Sequence, residues 1–400
     1  MGPGQSSIWR QHREWRDQGI ADEARDTLAA LAHHFPSSEA VRSDAPADQI
    51  MARLSLLDLP HLDGWASQWD QLVDSSPLPS PFLRSWWLAG TSQSGRHFLL
   101  VVDDTQLLGG LALEERHPRA SIRMMGYGSA SDHLDLLAAP GHEAAVLRLL
   151  GGWLRRPGGR LLDLKGIRAG SRLIEALPGR VRCEPMAVAP FTPLPDSAEV
   201  YRSTLSSQFR RNLRRSADRL AAEGVTERTI RGHAVVPCLD TLHQLHYAQW
   251  GDRSKFLPAF DRFVAGCTGG LAADEVVVHE LVSDGLVIAT VMAFEVAGRV
   301  SLYQSARHSD PRWRDATTVL LAAIIDDACD RGFSEVDFLR GEEPYKGRFA
   351  PNHREMIRLV AGQGFIPRIA CIAMAAHARA KRIAVQCVRL RRSAAARWRT

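Results

Sequence analysis

Within the segment VDFLRGEEPYKGRFAP (336–351), an alternating apolar run gives way to charge. Asp337, Arg340, Glu342, Glu343, Tyr345, Lys346 and Arg348 all fall within it. Lysine is scarce in this chain: Lys165, Lys255, Lys346 and Lys381 are its only four, against 50 Lys+Arg in total. Carboxylates, a phenol and an ammonium are the groups that move protons and hold developing negative charge. Val336 and Phe338 alternate with Asp337 and Leu339, which predicts a strand; Gly341 permits a sharp exit and Pro344 restrains the loop. Open α/β sheets commonly place their sites at such strand ends. An ordinary solvated loop would also tolerate these residues.

A second concentration of charge lies in SSQFRRNLRRSADRLAAEG (206–224). Ser206 or Ser207 suits an N-cap, and Phe209, Leu213 and Leu220 form one apolar stripe at helical spacing. Arg210, Arg211, Arg214, Arg215 and Arg219 flank that stripe, and Asp218 and Glu223 offset only part of their charge. Five guanidiniums on one short helix repel one another unless acids or an anionic ligand relieve them. They read either as a substrate-binding set or as a solvated basic face. Further along, SARHSDPRWRDATTVLL leads from a strand through a polar loop into a long apolar helix. Free amides at that helix start, with Arg312 and Arg314 close by, suit a phosphate or an acyl carbonyl; an ordinary loop capped by Asp315 is the alternative. In GYGSASDHLDLL (126–137), Asp132, His133 and Asp135 are candidate polar groups at a cleft, although the stretch does not match the G-x-S-x-G nucleophile turn. His243 and His246 share a helix face without the acidic or cysteine partners of a metal site, so no metal is expected.

The elements that must position these groups fall into a mixed pattern. Residues 1–50 read as a helical appendage followed by a linker. From 51 to 195, helices near 61–76 and 82–90 precede strand-like runs RHFLLVVDD, TQLLGGLALEE and ASIRMMGYGS. A helix at 142–156, the strand GRLLDLKGI, the helix SRLIEALPG and the strand VRCEPMAV follow. AVAPFTPLPDSAEVY reads as an extended, proline-rich crossing segment. From 196 to 365 the pattern restarts: a helical region at 198–222, three strands between 273 and 307, a helix at 316–332 and the strand SEVDFLR. Two successive units of similar order suggest an α/β (α+β) pseudo-repeat. The six cysteines show no CxxC spacing and read as reduced, buried thiols. The tail 366–400 is read as a basic helix. After Glu355 there is no acid but ten arginines and lysines, while the whole chain is only +5, so the body is net acidic. Such a tail suits a phosphate-rich partner, an anionic membrane surface or plain solvent. No apolar run spans a bilayer and the N-terminal residues lack an apolar signal core, so a cytoplasmic protein is expected, without stable membrane insertion. The oligomeric state is not legible.

SPFLRSWWLAG, SDHLDLLAAPG, SSQFRRNLRRSADRLAAEG, LHYAQWG and VDFLRGEEPYKGRFAP occur here in the order found in a bacterial family of GNAT-like acyltransferases, often labelled cellulose-biosynthesis acetyltransferases. The resemblance covers roughly residues 60–360 and implies two tandem GNAT-like domains. Related Fem-type aminoacyl-tRNA ligases pair a basic helix with a terminal motif near K-x-x-F, here Lys346 and Phe349. The resemblance implies that Arg210, Arg211, Arg214 and Arg215 hold a phosphate or substrate head group, with Asp132, His133 and Arg340 added as substrate-binding candidates. It implies that Lys346 stabilises charge on the reacting carbonyl. Glu343, Asp337 or Glu342 would then accept the amine's proton, and Tyr345 would return one to the leaving group. Arg312, Arg314, Thr317 and Thr318 are the expected contacts of the donor. One departure bears on the donor: GNAT enzymes hold the pyrophosphate of coenzyme A on a Q/R-x-x-G-x-G/A loop, and Asp315, Ala316, Thr317 and Thr318 stand there without a glycine. No permanently bound cofactor is expected. Acyl-CoA is the first expected co-substrate and aminoacyl-tRNA the alternative, with an amine of a sugar or small molecule as acceptor. A catalytically silent pair that binds polysaccharide or nucleic acid is the remaining reading.

Overall fold

The computed structural model describes residues 53–362 except 93–94, 117–120, 130 and 157–159. The appendage expected over 1–50 and the basic helix expected over 366–400 lie outside the described residues.

The first half runs β1 (Leu54–Leu59), α1 (Ala66–Asp74), α2 (Ser85–Thr91), β2 (Arg96–Asp103), β3 (Gln106–Arg116), β4 (Ser121–Met124), a short β5 (Leu137–Ala138), α3 (Glu143–Leu154), β6 (Leu161–Arg168), α4 (Leu173–Ala176) and β7 (Arg182–Pro193). After α5 (Ala198–Thr204) and α6 (Ser207–Ala222) the order repeats. It runs β8 (Thr226–Ile230), α7 (Val235–Trp250), α8 (Phe260–Ala272), β9 (Val276–Ser283), β10 (Leu286–Val296), β11 (Arg299–Arg307), α9 (Ala316–Asp330), β12 (Glu335–Asp337), α10 (Lys346–Phe349) and β13 (Asn352–Gly362). Apart from β5, α5 and α6, each element of one half has its counterpart in the other among the described residues. The pseudo-repeat expected from the pattern is therefore present as two units of like element order.

All strands join one mixed sheet, ordered β1-β2-β3-β4-β6-β13-β7-β12-β11-β10-β9-β8, with β5 beside β3. The two halves exchange their last strands. β13 lies between β6 and β7, and β7 lies between β13 and β12, with antiparallel pairing at every step. This corrects one reading. The first part of the proline-rich stretch taken as a crossing segment, through Pro193, is the end of β7, at the centre of the sheet. Pro190 serves there as acceptor, taking the Phe338 N–H at 2.9 Å, while the register shift at Met356/Ile357 lies opposite Pro185 and Ala187. The helices expected over 198–222 are α5 and α6, broken at Leu205–Ser206, where the Ser206 side chain accepts the Phe209 N–H as N-cap of α6.

Two apolar clusters support the sheet. The larger one runs from the first half into α7 and α8, through Phe82, Trp87, Phe263, Phe294 and Tyr303, whose rings lie 5.1–5.7 Å apart in successive contacts. Here α2 and α8 pack backbone to backbone: a Cβ at Gly90 would overlap the Ala265 carbonyl and lie 2.7 Å from the Gly266 Cα. The smaller cluster forms where Leu320, Leu321, Ile324, Ile325 and Ala328 of α9 meet β10 and β11 and the inner faces of α5 and α6. No described helix is long and apolar enough to cross a membrane.

Candidate active site

The site follows from where two parallel strands part. β11 and β12 are paired only at Arg299–Glu335, Val300–Val336 and Ser301–Asp337. Beyond that point β12 ends, whereas β11 continues to Arg307. The expected strand through Arg340 is therefore cut short: Leu339 turns into the left-handed region (φ 53), and its N–H caps Asp337 Oδ1 at 2.7 Å. A non-glycine residue in that region is strained and is held there by its surroundings. The opening is a cavity of about 160 Å³. Leu302 to Ser305 line one side, Phe338 to Arg340 the other, and Glu343, Tyr345, Lys346 and Asp132 complete it.

Lys346, at the start of α10, has only 7% of its side chain exposed. Its ammonium donates to the carbonyls of Arg340 (2.9 Å) and Leu339 (3.4 Å) and pairs with Glu343 Oε2 at 3.0 Å. Two of these partners are fixed main chain, while the Glu343 side chain is 55% exposed and can leave. Gly341 makes the approach possible: its φ is 132°, and a Cβ there would overlap the Glu343 carboxylate. Burial, with Glu343 adding to it, pushes the Tyr345 phenol up to about 12, so it stays protonated and can donate.

Asp132 and Arg340 meet at this cavity. The carboxylate pairs with the Arg340 guanidinium (Oδ1 to Nε, 2.7 Å) and accepts its backbone N–H (2.8 Å). Burial raises the pKa of Asp132 above the usual carboxylate value, against the pull of Arg340 and His133. His133, also left-handed at φ 52, places Nε2 2.9 Å from Asp337 Oδ2.

Asp337 corrects an expectation. Its carboxylate is fully buried outside the cavity lining, tied to His133, to Arg299 (3.0 Å) and more loosely to Arg354 (3.5 Å). Burial alone would raise its pKa, but His133 and then Arg299 outweigh burial and hold it well below the carboxylate range. A group so held is a poor proton acceptor, and Asp337 is placed as an anchor for the strand end. Arg299, Glu335 and Arg354, which complete this knot, were not singled out from sequence. The signal available was charge at consecutive inward positions of strands that otherwise read as apolar.

The arginine helix lies elsewhere. Arg210, Arg211 and Arg214 line a separate groove of about 700 Å³ between α5, α6 and α9, whose floor includes Leu205, Leu213, Val319 and Ala322. Arg215 is exposed and does not line it. Arg210 caps α5, its Nη1 donating to the carbonyls of Arg202, Ser203 and Leu205. None of these residues lines the Lys346 cavity. Arg312, Arg314, Thr317 and Thr318 line neither space. Arg312 pairs with Asp310 and lies over Trp313, and Arg314 approaches Asp315 at 3.6 Å. At the amino end of α9 the Asp315 carboxylate accepts from Ser216 (3.2 Å) and Arg219 (3.1 Å), clasping α6 to α9.

Among the described residues the first half has no equivalent opening: β4 and β6 part after Ile122–Leu162, but the following chain fills the gap, Leu134 bridging to Ile167 and donating its N–H to the Gly166 carbonyl at 2.8 Å. That plug carries Asp132 to the Lys346 cavity and His133 to the buried Asp337.

Comparisons with known proteins agree with this architecture. Residues 207–347 match the family model for the acetyltransferase (GNAT) domain. No curated protein matches the sequence. Among solved structures, FemX is similar over 76% of this chain and 96% of its own, with a TM-score of 0.55 at 8% identity. The C-terminal domain of a protein assigned as a lysylphosphatidylglycerol synthetase in Agrobacterium fabrum is similar over 78% of this chain and 94% of its own (TM-score 0.53, 13% identity). A conserved protein of unknown function from Bacteroides thetaiotaomicron is similar over 77% of this chain and all of its own (TM-score 0.55, 11% identity). The second half thus matches a GNAT acetyltransferase domain, and the chain shares its overall fold with FemX.

Proposed function

We propose that this protein transfers an aminoacyl group from aminoacyl-tRNA to an amine in the cavity between β11 and β12. The observation that carries the reading is the buried Lys346 ammonium, anchored on two carbonyls and completed by one exposed, displaceable carboxylate. An ester carbonyl entering there would take the place of Glu343, so the ammonium would face the oxygen that becomes negative as the amine adds. Glu343, released, accepts the proton lost by the attacking nitrogen. The carbon–oxygen bond to the tRNA ribose then breaks as the Tyr345 hydroxyl gives its proton to the departing oxygen, and the phenol is reprotonated from solvent. Asp132 and Arg340 form the opposite wall and would orient the acceptor. No covalent enzyme intermediate is required.

The choice of donor rests on Asp315. A pyrophosphate at the amino end of α9 would meet this carboxylate, which already takes the place of an anion against Arg219 and Ser216. A tRNA ester needs no pyrophosphate site. The groove beside Arg211 and Arg214 is a candidate for nucleic-acid phosphates. The match of residues 207–347 to an acetyltransferase domain favours a second reading, with acyl-CoA as donor and the same chemistry at Lys346. Binding of acetyl-CoA and of a mixed aminoacyl-tRNA pool to the purified full chain separates the two. Salt-sensitive tRNA binding with silence toward acetyl-CoA supports the first reading; saturable acetyl-CoA binding with no tRNA binding supports the second.

A further inference from the structure

Asp132 lines the Lys346 cavity, but the left-handed backbone at His133 turns the next side chain elsewhere. His133 lines a different cavity of about 140 Å³ in the first half, walled by Leu78, Leu83, Asp135, Glu143, Arg168 and Arg172. Its ring is 1% exposed and is tied at Nε2 to the buried Asp337, while Nδ1 has no hydrogen-bond partner. Nδ1 is therefore a buried polar nitrogen open to a ligand in the cavity. A buried polar atom left without a partner is costly unless a ligand or water pairs with it.

The other polar groups divide into used and available. Asp135 accepts from the Ser171 hydroxyl at 2.5 Å and from the Leu136 N–H at 2.8 Å. Arg172 pairs with Glu175 at 3.0 Å. Arg168, at the end of β6, makes no side-chain hydrogen bond or ion pair among the described residues, and neither does Glu143 in the first turn of α3. The groups without a hydrogen bond or ion pair are therefore one guanidinium, one carboxylate and one imidazole nitrogen around a small space with leucine walls, although Arg168 acts at a distance on Asp135 and Glu143 on Arg172.

We propose that this cavity is a second ligand site, taking a small amino acid-like zwitterion. Its carboxylate sits between Arg168 and His133 Nδ1, and its ammonium on Glu143. The cavity leaves room for a residue the size of glycine or alanine. The site involves neither Lys346 nor the transfer reaction, so it stands or falls independently of the proposed function.

Calorimetric titration of the full chain with glycine tests it, with acetate and methylamine as probes carrying one charge each. Glycine is expected to bind saturably below about 10 mM and both single-charge probes at least tenfold more weakly, roughly the 1.4 kcal/mol or more that one lost charge-assisted contact is worth. Arg168→Ala and Glu143→Gln, both at the cavity wall and outside the buried knot, should each weaken glycine by tenfold or more, while Lys346→Met leaves it unchanged. His133→Asn should do the same if it folds, as its circular dichroism would tell. Absence of saturable glycine binding, or unchanged binding in Arg168→Ala, overturns the proposal. Acetate binding as tightly as glycine overturns the ammonium subsite.

Discussion

Asp337→Asn probes whether the strand end beneath the cavity is held by charge. In the wild type, Asp337 faces His133 at 2.9 Å and Arg299 at 3.0 Å, and its Oδ1 accepts the Leu339 N–H at 2.7 Å. Asparagine keeps the shape and can still accept from Leu339, but its amide presents a donor where two donors already stand. Removing one partner of a buried ion pair costs about 3–5 kcal/mol. Glu335 remains against Arg299 at 2.6 Å and also pairs with Arg354, so the lower end, roughly 3 kcal/mol, is expected. The folded-state pKa of Asp337 is depressed, so its contribution is present above the unfolded value near 4 and is lost as pH falls through the lower folded value. The difference between variant and wild type should therefore be flat from neutral pH down to about pH 4 and shrink below it. Urea unfolding at several pH values reads this directly, with an unchanged m value showing that compactness is preserved. A loss under about 1 kcal/mol at neutral pH would refute the reasoning, since it would make the knot a bystander rather than the support of Leu339 and Lys346.

Three further outcomes follow from single contacts. Gly341→Ala forces a side chain into φ 132 and into the Glu343 carboxylate; it should cost about 1–3 kcal/mol in urea unfolding and weaken transfer, and an unchanged stability would contradict the geometry. Asp315→Gly removes the carboxylate at the start of α9 and should tighten acetyl-CoA by roughly tenfold in a binding titration; no change would remove the argument against a pyrophosphate there. His279 is buried, and its pKa is lowered to about 4 by desolvation, so the unfolded chain binds the extra proton between that value and about 6.5. Stability should fall by roughly 2–3 kcal/mol as pH drops across this window, and His279→Gln should flatten that slope in pH-dependent unfolding.

How far the sequence spoke depended on whether a feature was local. The crowded turn at 341–348 was legible because charge, glycine and proline sit together, and three of its groups, Glu343, Tyr345 and Lys346, do meet at one cavity. The hairpin β9–β10 was legible because Asp284 and Gly285 supply the two left-handed residues its turn needs. Strand exchange was not legible, since alternation shows which face of β7 or β13 is buried but not which strand lies beside it. Proline suggested a crossing segment over 187–201; its first part is instead the end of β7, where Pro190 pairs with His353 and Pro193 with Glu335 in unbroken register. Asp337 was misjudged because a carboxylate near a reactive turn looks available; its partners His133, Arg299 and Arg354 come from three distant segments. Asp132 and His133 were recognised as polar groups at a cleft, yet the plugging of the first half's gap, which delivers them to the second half, depends on the bridge between Leu134 and Ile167. The arginine helix was correctly read as basic and N-capped, but its arginines line a groove of their own instead of the Lys346 cavity.

The central claim is that Lys346 holds the negative oxygen during acyl transfer. Its most direct test is single-turnover transfer from aminoacyl-tRNA to hydroxylamine, comparing wild type with Lys346→Met after subtraction of the uncatalysed reaction. The account predicts a rate lower by about 10²–10³ with donor affinity unchanged, the loss expected for one preorganised donor to an oxyanion. Transfer by the variant within about threefold of wild type would contradict it.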